Sequence, residues 1–251
     1  MKNIITITSL LAMATVANAE LVAHVWDNVP QTSVSGKAPA TWSVSDNALS
    51  WTSGKLWSVA VTVGSEAFTS EATPFTLLSL EQPGNKQFSG LSGITVQNGK
   101  LAMPLFSDKL EVGETTVSTV VTGKKDLTFV FNRGSGDKPS ISVYADGDFS
   151  QKLLTVRRNS SYTFVGKNIT SFNFGGIGGV VNNSMKPKFP PNDQAGSFNL
   201  LGAAYWTGGN AGEAALTNYY KSAVPEPSAF GLLAGLGALA LVGARRRRSR
   251  K

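Results

Sequence analysis

Short runs in which apolar and polar residues alternate dominate the chain from residue 22 to about residue 210. Residues 57–63, WSVAVTV, alternate large apolar side chains with small or polar ones, a period of two that is typical of a half-buried strand. Further runs rich in β-branched and aromatic residues predict strands at 76–80, 116–121, 126–132, 140–145, 169–175 and 197–204. Many short strands without a long helical period favour one β-sandwich of the jelly-roll type.

Turn residues separate these runs. Asn98-Gly99 lies between the apolar runs 94–96 and 101–103, and this arrangement predicts a β-hairpin. Asp146-Gly147 follows the run 140–145 and predicts another turn. One stretch departs from the strand pattern, because residues 213–220 are Ala-rich and carry Leu216 and Tyr220 four positions apart. We therefore expect a short helix there, followed by a linker at 221–224.

The composition of this 251-residue chain limits its partners. Of the 23 Lys and Arg residues, six lie in 245–251 and one is Lys2, so the body between them balances its 16 acidic residues. A neutral body does not predict nucleic-acid binding, which needs a basic face. With no cysteine, the body must be stable without disulfides, and about two hundred residues are enough for such a core.

The first nineteen residues have the three parts of an export signal. Lys2 provides the positive start, residues 4–14 are mostly apolar, and Ala17-Asn18-Ala19 forms a small-residue cleavage site. The apolar part is too short to cross a bilayer as a helix. We therefore expect a signal peptide at 1–19 and a mature chain that begins at Glu20.

The last 28 residues have the features of a second targeting signal. Pro225 and Pro227 interrupt helical structure. The uncharged residues 228–244 predict a short but feasible transmembrane helix, about 26 Å long at roughly 1.5 Å per residue. The basic tail 245–251 follows, and its arginines predict that this end stays in the cytoplasm. This basic stop consists of Arg245, Arg246, Arg247 and Arg248.

This order of features resembles a PEP-CTERM sorting signal. The motif residues are Val224, Pro225, Glu226 and Pro227, and the apolar helix and the arginine cluster follow them. The resemblance implies a bacterial exported protein that an exosortase, a membrane transpeptidase-like protease, processes near Pro-Glu-Pro. A permanent single-span anchor is the alternative, and both alternatives place the body outside the cytoplasm.

Three stretches of the body are similar to laminin-G-like or concanavalin A-like sandwiches. These are residues 57–80, residues 140–148 with their Asp-Gly turn, and residues 169–176 with the late strand and helix that follow. The resemblance implies an all-β, two-sheet sandwich, here expected at 20–221, ahead of a sorting and anchor segment at 222–251. It also implies sugar or protein binding, although a fold alone does not fix a function.

The residue types for catalysis are sparse. His24 is the one histidine, and a zinc cluster of His and Cys is excluded by their number. A glycosidase needs two carboxylates across one groove. Glu111 and Glu114 have odd spacing and flank Gly113, which we expect in a turn. The sequence therefore predicts no enzyme, no catalytic residue and no cofactor.

Two weaker candidates for ligand contact remain. Trp51 and Trp206 adjoin polar or Gly-rich segments, where an indole can stack on a sugar ring. Trp57 has apolar alternating neighbours, and we expect it in the core. Asp146 and Asp148 are weak calcium candidates, because oxygen ligands suit that ion but the rest of a calcium loop is missing.

We therefore expect an exported, non-enzymatic cell-surface or extracellular-matrix protein. Its expected partners are the membrane and an exosortase-like enzyme, with a polysaccharide as a further candidate and no nucleic acid. The expected route is an inner-membrane intermediate with the body outside, followed by the cell surface or the medium. A lectin-like carbohydrate-binding protein and a sandwich-type glycoside hydrolase are the alternatives.

Overall fold

The computed structural model describes residues 21–26, 29, 33–44, 49–50, 55–81, 92–104, 110–134, 138–158, 168–177 and 189–224. Its strands are β1 Val22–Val25, β2 Ser33–Val34, β3 Ala40–Ser43, β4 Trp57–Gly64, β5 Phe75–Glu81, β6 Ser92–Gln97, β7 Lys100–Pro104, β8 Leu110–Thr116, β9 Asp126–Asn132, β10 Ser140–Ala145, β11 Leu154–Arg157, β12 Ser171–Gly175 and β13 Phe198–Thr207. The helices are α1 Val117–Val121 and α2 Glu213–Ala223, and a 3₁₀ helix covers Ser65–Thr69.

Two antiparallel sheets form a sandwich, as the alternating runs predict. The first sheet has the order β1-β13-β4-β9-β10-β11, with β2 also paired to β13, and the second has the order β3-β12-β5-β6-β7-β8. Inward-facing side chains of both sheets form the main core, which includes Trp57, Phe129 and Phe172, each 0% exposed. The signal peptide and the transmembrane helix expected from the sequence lie outside the described residues.

Strand β4 is buried on both faces, whereas the sequence pattern predicts a half-buried strand. All eight of its positions are buried, although its sequence alternates between apolar and small or polar residues. Trp57 and Val59 face the main core, whereas Ala60 belongs to a second cluster on the outer face of the first sheet. Helix α2 contributes Leu216 and Tyr219 to that cluster, so the helix covers the face that would otherwise meet water.

Both predicted hairpin turns are present. Asn98 and Gly99 have φ of 50° and 71° and join β6 to β7. Asp146 and Gly147 have φ of 53° and 71°, inside a bridge between Ala145 and Asp148. Two successive residues with positive φ match the twist of antiparallel strands, which explains why Asn-Gly and Asp-Gly serve here.

The prediction of a strand at 116–121 is wrong, because residues 117–121 form helix α1. Only Val117 and Val121 of this β-branched run are buried, and side chains four positions apart lie on one face of a helix.

The prediction that Gly113 lies in a turn is also wrong, because Gly113 lies inside strand β8. Between the pairs Lys100–Thr116 and Ala102–Val112 the register shifts, so β8 bulges within residues 113–115.

Candidate functional site

A network of polar side chains lies where α2 packs on the first sheet. Tyr219 is 2% exposed, and its hydroxyl lies 2.9 Å from the hydroxyl of Thr62, which lies 2.9 Å from that of Thr128. The Tyr219 ring also packs edge-on against Trp206, with ring centroids 5.8 Å apart. Burial holds the pKa of the Tyr219 phenol well above its usual range.

A second tyrosine of α2 reaches a buried carboxylate. The Tyr220 hydroxyl donates to Asp126 Oδ2 at 2.6 Å, and Asp126 is only 5% exposed. Burial raises the pKa of Asp126 above its ordinary value, while the hydrogen bond from Tyr220 opposes that shift. Gly147 makes room for this contact, since a Cβ at Gly147 would lie 2.6 Å from Cε1 of Tyr220.

The C-terminal end of α2 fits into the same surface. The backbone N–H of Val224 donates to the carbonyl of Tyr220 at 3.0 Å, and Val224 is 7% exposed. A Cβ at Gly202 would lie 2.8 Å from the Tyr219 hydroxyl and 3.2 Å from Cγ2 of Val224. Glycine in strand β13 therefore allows both side chains to approach the backbone. The helix continues through most of the linker expected at 221–224.

The buried Asp126 predicts a measurable dependence of stability on pH. Between the pKa of the unfolded chain, about 3.9, and the raised pKa of the folded state, only the folded state keeps the proton. The free energy of unfolding should therefore fall as pH rises through that window and stay constant above it. In Asp126→Asn an uncharged acceptor still faces Tyr220, so urea unfolding measured from about pH 4 to about pH 7 should show a smaller fall.

The matched control is Asp193→Asn, which removes an exposed carboxyl outside this network. Its pH profile should run parallel to that of the wild type. If the Asp126→Asn profile were also parallel to the wild type, the buried carboxyl would not be the source of the pH dependence.

A cleft of about 420 Å³ lies on the side of the sandwich where β8 and β11, the edge strands of the two sheets, face each other. Its polar lining includes Glu111, Glu114 and Arg157, and its apolar lining includes Leu101 and Leu154. Arg158 is 3% exposed and places Nη1 3.4 Å from Oε1 of Glu111, which links the two edges. None of the described residues that line the cleft is aromatic.

The structure does not support Trp206 as a ligand contact. Trp206 is 1% exposed. Strand β13 packs against the main core with one face and against helix α2 with the other, and Trp206 lies on the face that α2 covers. The Gly-rich segment next to Trp206 did not indicate that helix α2 packs over this side chain. Trp51 lies outside the described residues, so its prediction stays a prediction. Trp57 is in the core, and its indole N–H donates to the carbonyl of Ser50 at 2.9 Å.

The two aspartates of the calcium candidate have local structural partners. Asp146 Oδ1 accepts from the backbone N–H of Lys125 at 2.8 Å, and Asp148 Oδ1 accepts from the N–H and the hydroxyl of Ser150 at 3.0 and 2.6 Å. These bonds from Ser150 lower the pKa of Asp148. Among the described residues, no group of three or more His, Cys, Asp or Glu side chains is placed to hold a metal.

The C-terminal residues give the decisive comparison. Residues 223–248 match the family model described as the PEP-CTERM protein-sorting motif. The chain carries a PEP-CTERM sorting signal. The match begins at Ala223, the last residue of α2, and confirms the motif expected at Val224 to Pro227. A PEP-CTERM signal marks a protein that is exported and sorted to the cell surface.

Comparisons of the whole chain give weaker similarities. No curated protein matches it. The LG1-3 region of the laminin alpha2 chain aligns with a TM-score of 0.46 and 14% identity, over 78% of this chain and 33% of that one. The CBM40 domain of a Ruminococcus gnavus IT-sialidase, bound to alpha2,3 sialyllactose, gives 0.39 and 13%, over 66% and 83%. This chain thus spans a third of the laminin chain. Such low TM-scores and identities assign no ligand and no activity to this chain.

The residues of the α2 network were missed by the sequence analysis. Asp126 was assigned only to a strand, and Tyr220 only to a helix face. The paired tyrosines near the end of an Ala-rich helix were the available signal, because a buried phenol needs a hydrogen-bond partner.

No helix among the described residues is both long and apolar enough to span a membrane.

Proposed function

We propose that this PEP-CTERM protein is an exported, non-enzymatic component of the cell surface or extracellular matrix. Its C-terminal segment is processed in the inner membrane by an exosortase-like enzyme while the body lies outside the cytoplasm. One observation carries the proposal: the sorting motif begins at Ala223, where the helix that covers the sandwich ends. The folded body and its sorting signal are therefore directly joined.

The contacts of the acidic side chains support a structural role for the body. Glu66 accepts a hydrogen bond from Asn199 at 2.6 Å, Glu71 accepts one from Ser118 at 3.0 Å, and Glu81 accepts one from Ser171 at 3.0 Å. None of these three carboxylates lines the cleft between β8 and β11. Glu111 and Glu114 do line it, and Glu111 is paired there with Arg158 at 3.4 Å, a contact that joins the two sheet edges.

The two alternatives have less support. A lectin-like role was based on Trp51 and Trp206, and the second of these indoles is buried. In the part of the chain that the structure describes, the lining of the cleft between β8 and β11 offers no aromatic ring on which a sugar could stack. We therefore propose neither carbohydrate binding nor glycoside hydrolysis as the main function.

Mass spectrometry of the protein recovered from the source bacterium tests this function. We expect a mature chain that starts at Glu20 and has lost the Arg245–Arg248 cluster, present in the envelope or medium. The same sample should release no sugar from a panel of polysaccharides. The variant Glu226→Ala should keep its C-terminus, whereas the control Glu213→Ala, outside the motif, should be processed normally.

Two results would contradict the proposal. An uncut chain in the cytosol would disprove export and sorting. Release of sugar at a rate that depends on enzyme concentration would disprove the non-enzymatic assignment while leaving the sorting route intact.

A further inference from the structure

The folded body holds the first residues of its own sorting motif. Ala223 is the last residue of α2, and Val224 caps the helix with its N–H bonded to Tyr220 at 3.0 Å. The Val224 side chain is buried against strand β13 beside Gly202. A processing enzyme therefore meets a motif whose N-terminal end is part of the packed domain. We call residues 220–224 the C-terminal turn.

Specific side-chain contacts hold the C-terminal turn on the first sheet. Tyr220 donates a 2.6 Å hydrogen bond to Asp126, which lies in strand β9. Directly before the turn, Tyr219 contacts Thr62 of strand β4 and packs edge-on against Trp206. The Tyr219 contact is buried and the Tyr220 bond is part-buried. Removing one partner of such a hydrogen bond has a free-energy cost, so these contacts stabilise the docked state of the turn.

The short distance to the predicted membrane helix makes this docking important. Only Pro225, Glu226 and Pro227 separate Val224 from the apolar segment 228–244. Three extended residues span at most about 10 Å. Unwinding the C-terminal turn would lengthen this connection by about 7 Å, because its four helical residues, 220–223, would rise about 3.3 instead of 1.5 Å each.

We propose that the C-terminal turn is a positioning clamp that limits access of the processing enzyme to the Pro-Glu-Pro segment. This inference rests on the proposed function, because it assumes that the motif is processed. Processing then requires the C-terminal turn to leave the sheet, and its rate follows the small population of molecules in which the turn has undocked. Tyr219, Tyr220 and Val224 position the motif and take no part in bond cleavage.

A pulse-chase experiment in the source bacterium measures the rate at which the full-length chain is converted to the processed form. Tyr220→Phe removes the hydrogen bond to Asp126 and should raise the rate about fivefold, which follows from the loss of one part-buried hydrogen bond to a carboxyl group. The matched control is Asn218→Ala, an exposed change on the same helix that should leave the rate unchanged. Near-ultraviolet circular dichroism of both purified variants verifies that the sandwich stays folded.

A spacer separates this clamp from general destabilisation. Four Gly and Ser residues inserted between Val224 and Pro225 should raise the wild-type rate and remove the difference between wild type and Tyr220→Phe. If Tyr220→Phe acted only by weakening the fold, its effect would persist with the spacer, and that result would overturn the inference.

The wild-type chain separates the two proposals. If the wild type is processed but Tyr220→Phe and Asn218→Ala are processed at equal rates, the clamp is disproved and the sorting function stands. A slower rate for Tyr220→Phe would also disprove the clamp. If the wild type remains uncut, the proposed function fails, and the inference fails with it.

Discussion

Gly93→Ala is expected to leave little or no folded protein. Gly93 lies in β6, where it faces the β5 backbone, and a Cβ there would overlap the carbonyl oxygen of Leu78 at less than 3.0 Å. Backbone atoms inside a sheet cannot move aside as a flexible side chain can, so we expect a loss of at least about 3 kcal/mol. Urea unfolding followed by tryptophan fluorescence measures this loss.

Gly209→Ala is the matched control, because a Cβ there would meet only Leu21 Cδ1 at 3.4 Å, an ordinary van der Waals contact. Its unfolding midpoint should stay close to that of the wild type. Equal midpoints for Gly93→Ala and Gly209→Ala would contradict the close approach of β5 and β6.

Trp57→Ala should have the second largest effect on stability. The side chain is 0% exposed, stacks on Phe131 with ring centroids 5.7 Å apart, and donates its indole N–H to the carbonyl of Ser50. Truncation of such a residue costs about 3–5 kcal/mol, a large part of the roughly 5–15 kcal/mol that stabilises a typical domain. The free energy of unfolding in urea measures the loss.

Trp57→Phe keeps an aromatic ring against Phe131 but removes the indole donor. We expect an intermediate loss, since the carbonyl of Ser50 then loses the indole as a partner while most apolar contacts remain. A Trp57→Ala protein within about 0.5 kcal/mol of the wild type would show that the core is not organised around this ring.

The sheet elements were predictable because their signal is local. The strand expected at 126–132 and that expected at 140–145 coincide with β9 and β10, since both carry the alternation that a two-faced strand requires. The Asn98-Gly99 hairpin was equally accessible from its turn residues. At Val117–Val121 the local preference of β-branched residues for strands was overridden by the need to bury two side chains four positions apart.

The candidate site depended on contacts that no local pattern contains. The bond between Tyr220 and Asp126 joins residues 94 positions apart, and the contact of Tyr219 with Thr62 joins residues 157 positions apart. Burial of Trp206 followed from the same packing of α2 against β13. The sorting motif, in contrast, is a linear signal, and its residues could be identified without knowledge of the fold.

The pairing of β1 with β13 determines when this domain can be completed during export. Val22 lies opposite Thr207, so the first strand to emerge finds its partner only after nearly the whole body has crossed the membrane. Closing so long a loop is entropically unfavourable and makes folding slow. Until β13 is available, the backbone N–H and C=O groups of strand β1 therefore lack their partners in the sheet. A chaperone outside the cytoplasm that shields this strand should raise the yield of native protein more than one that acts on the finished domain.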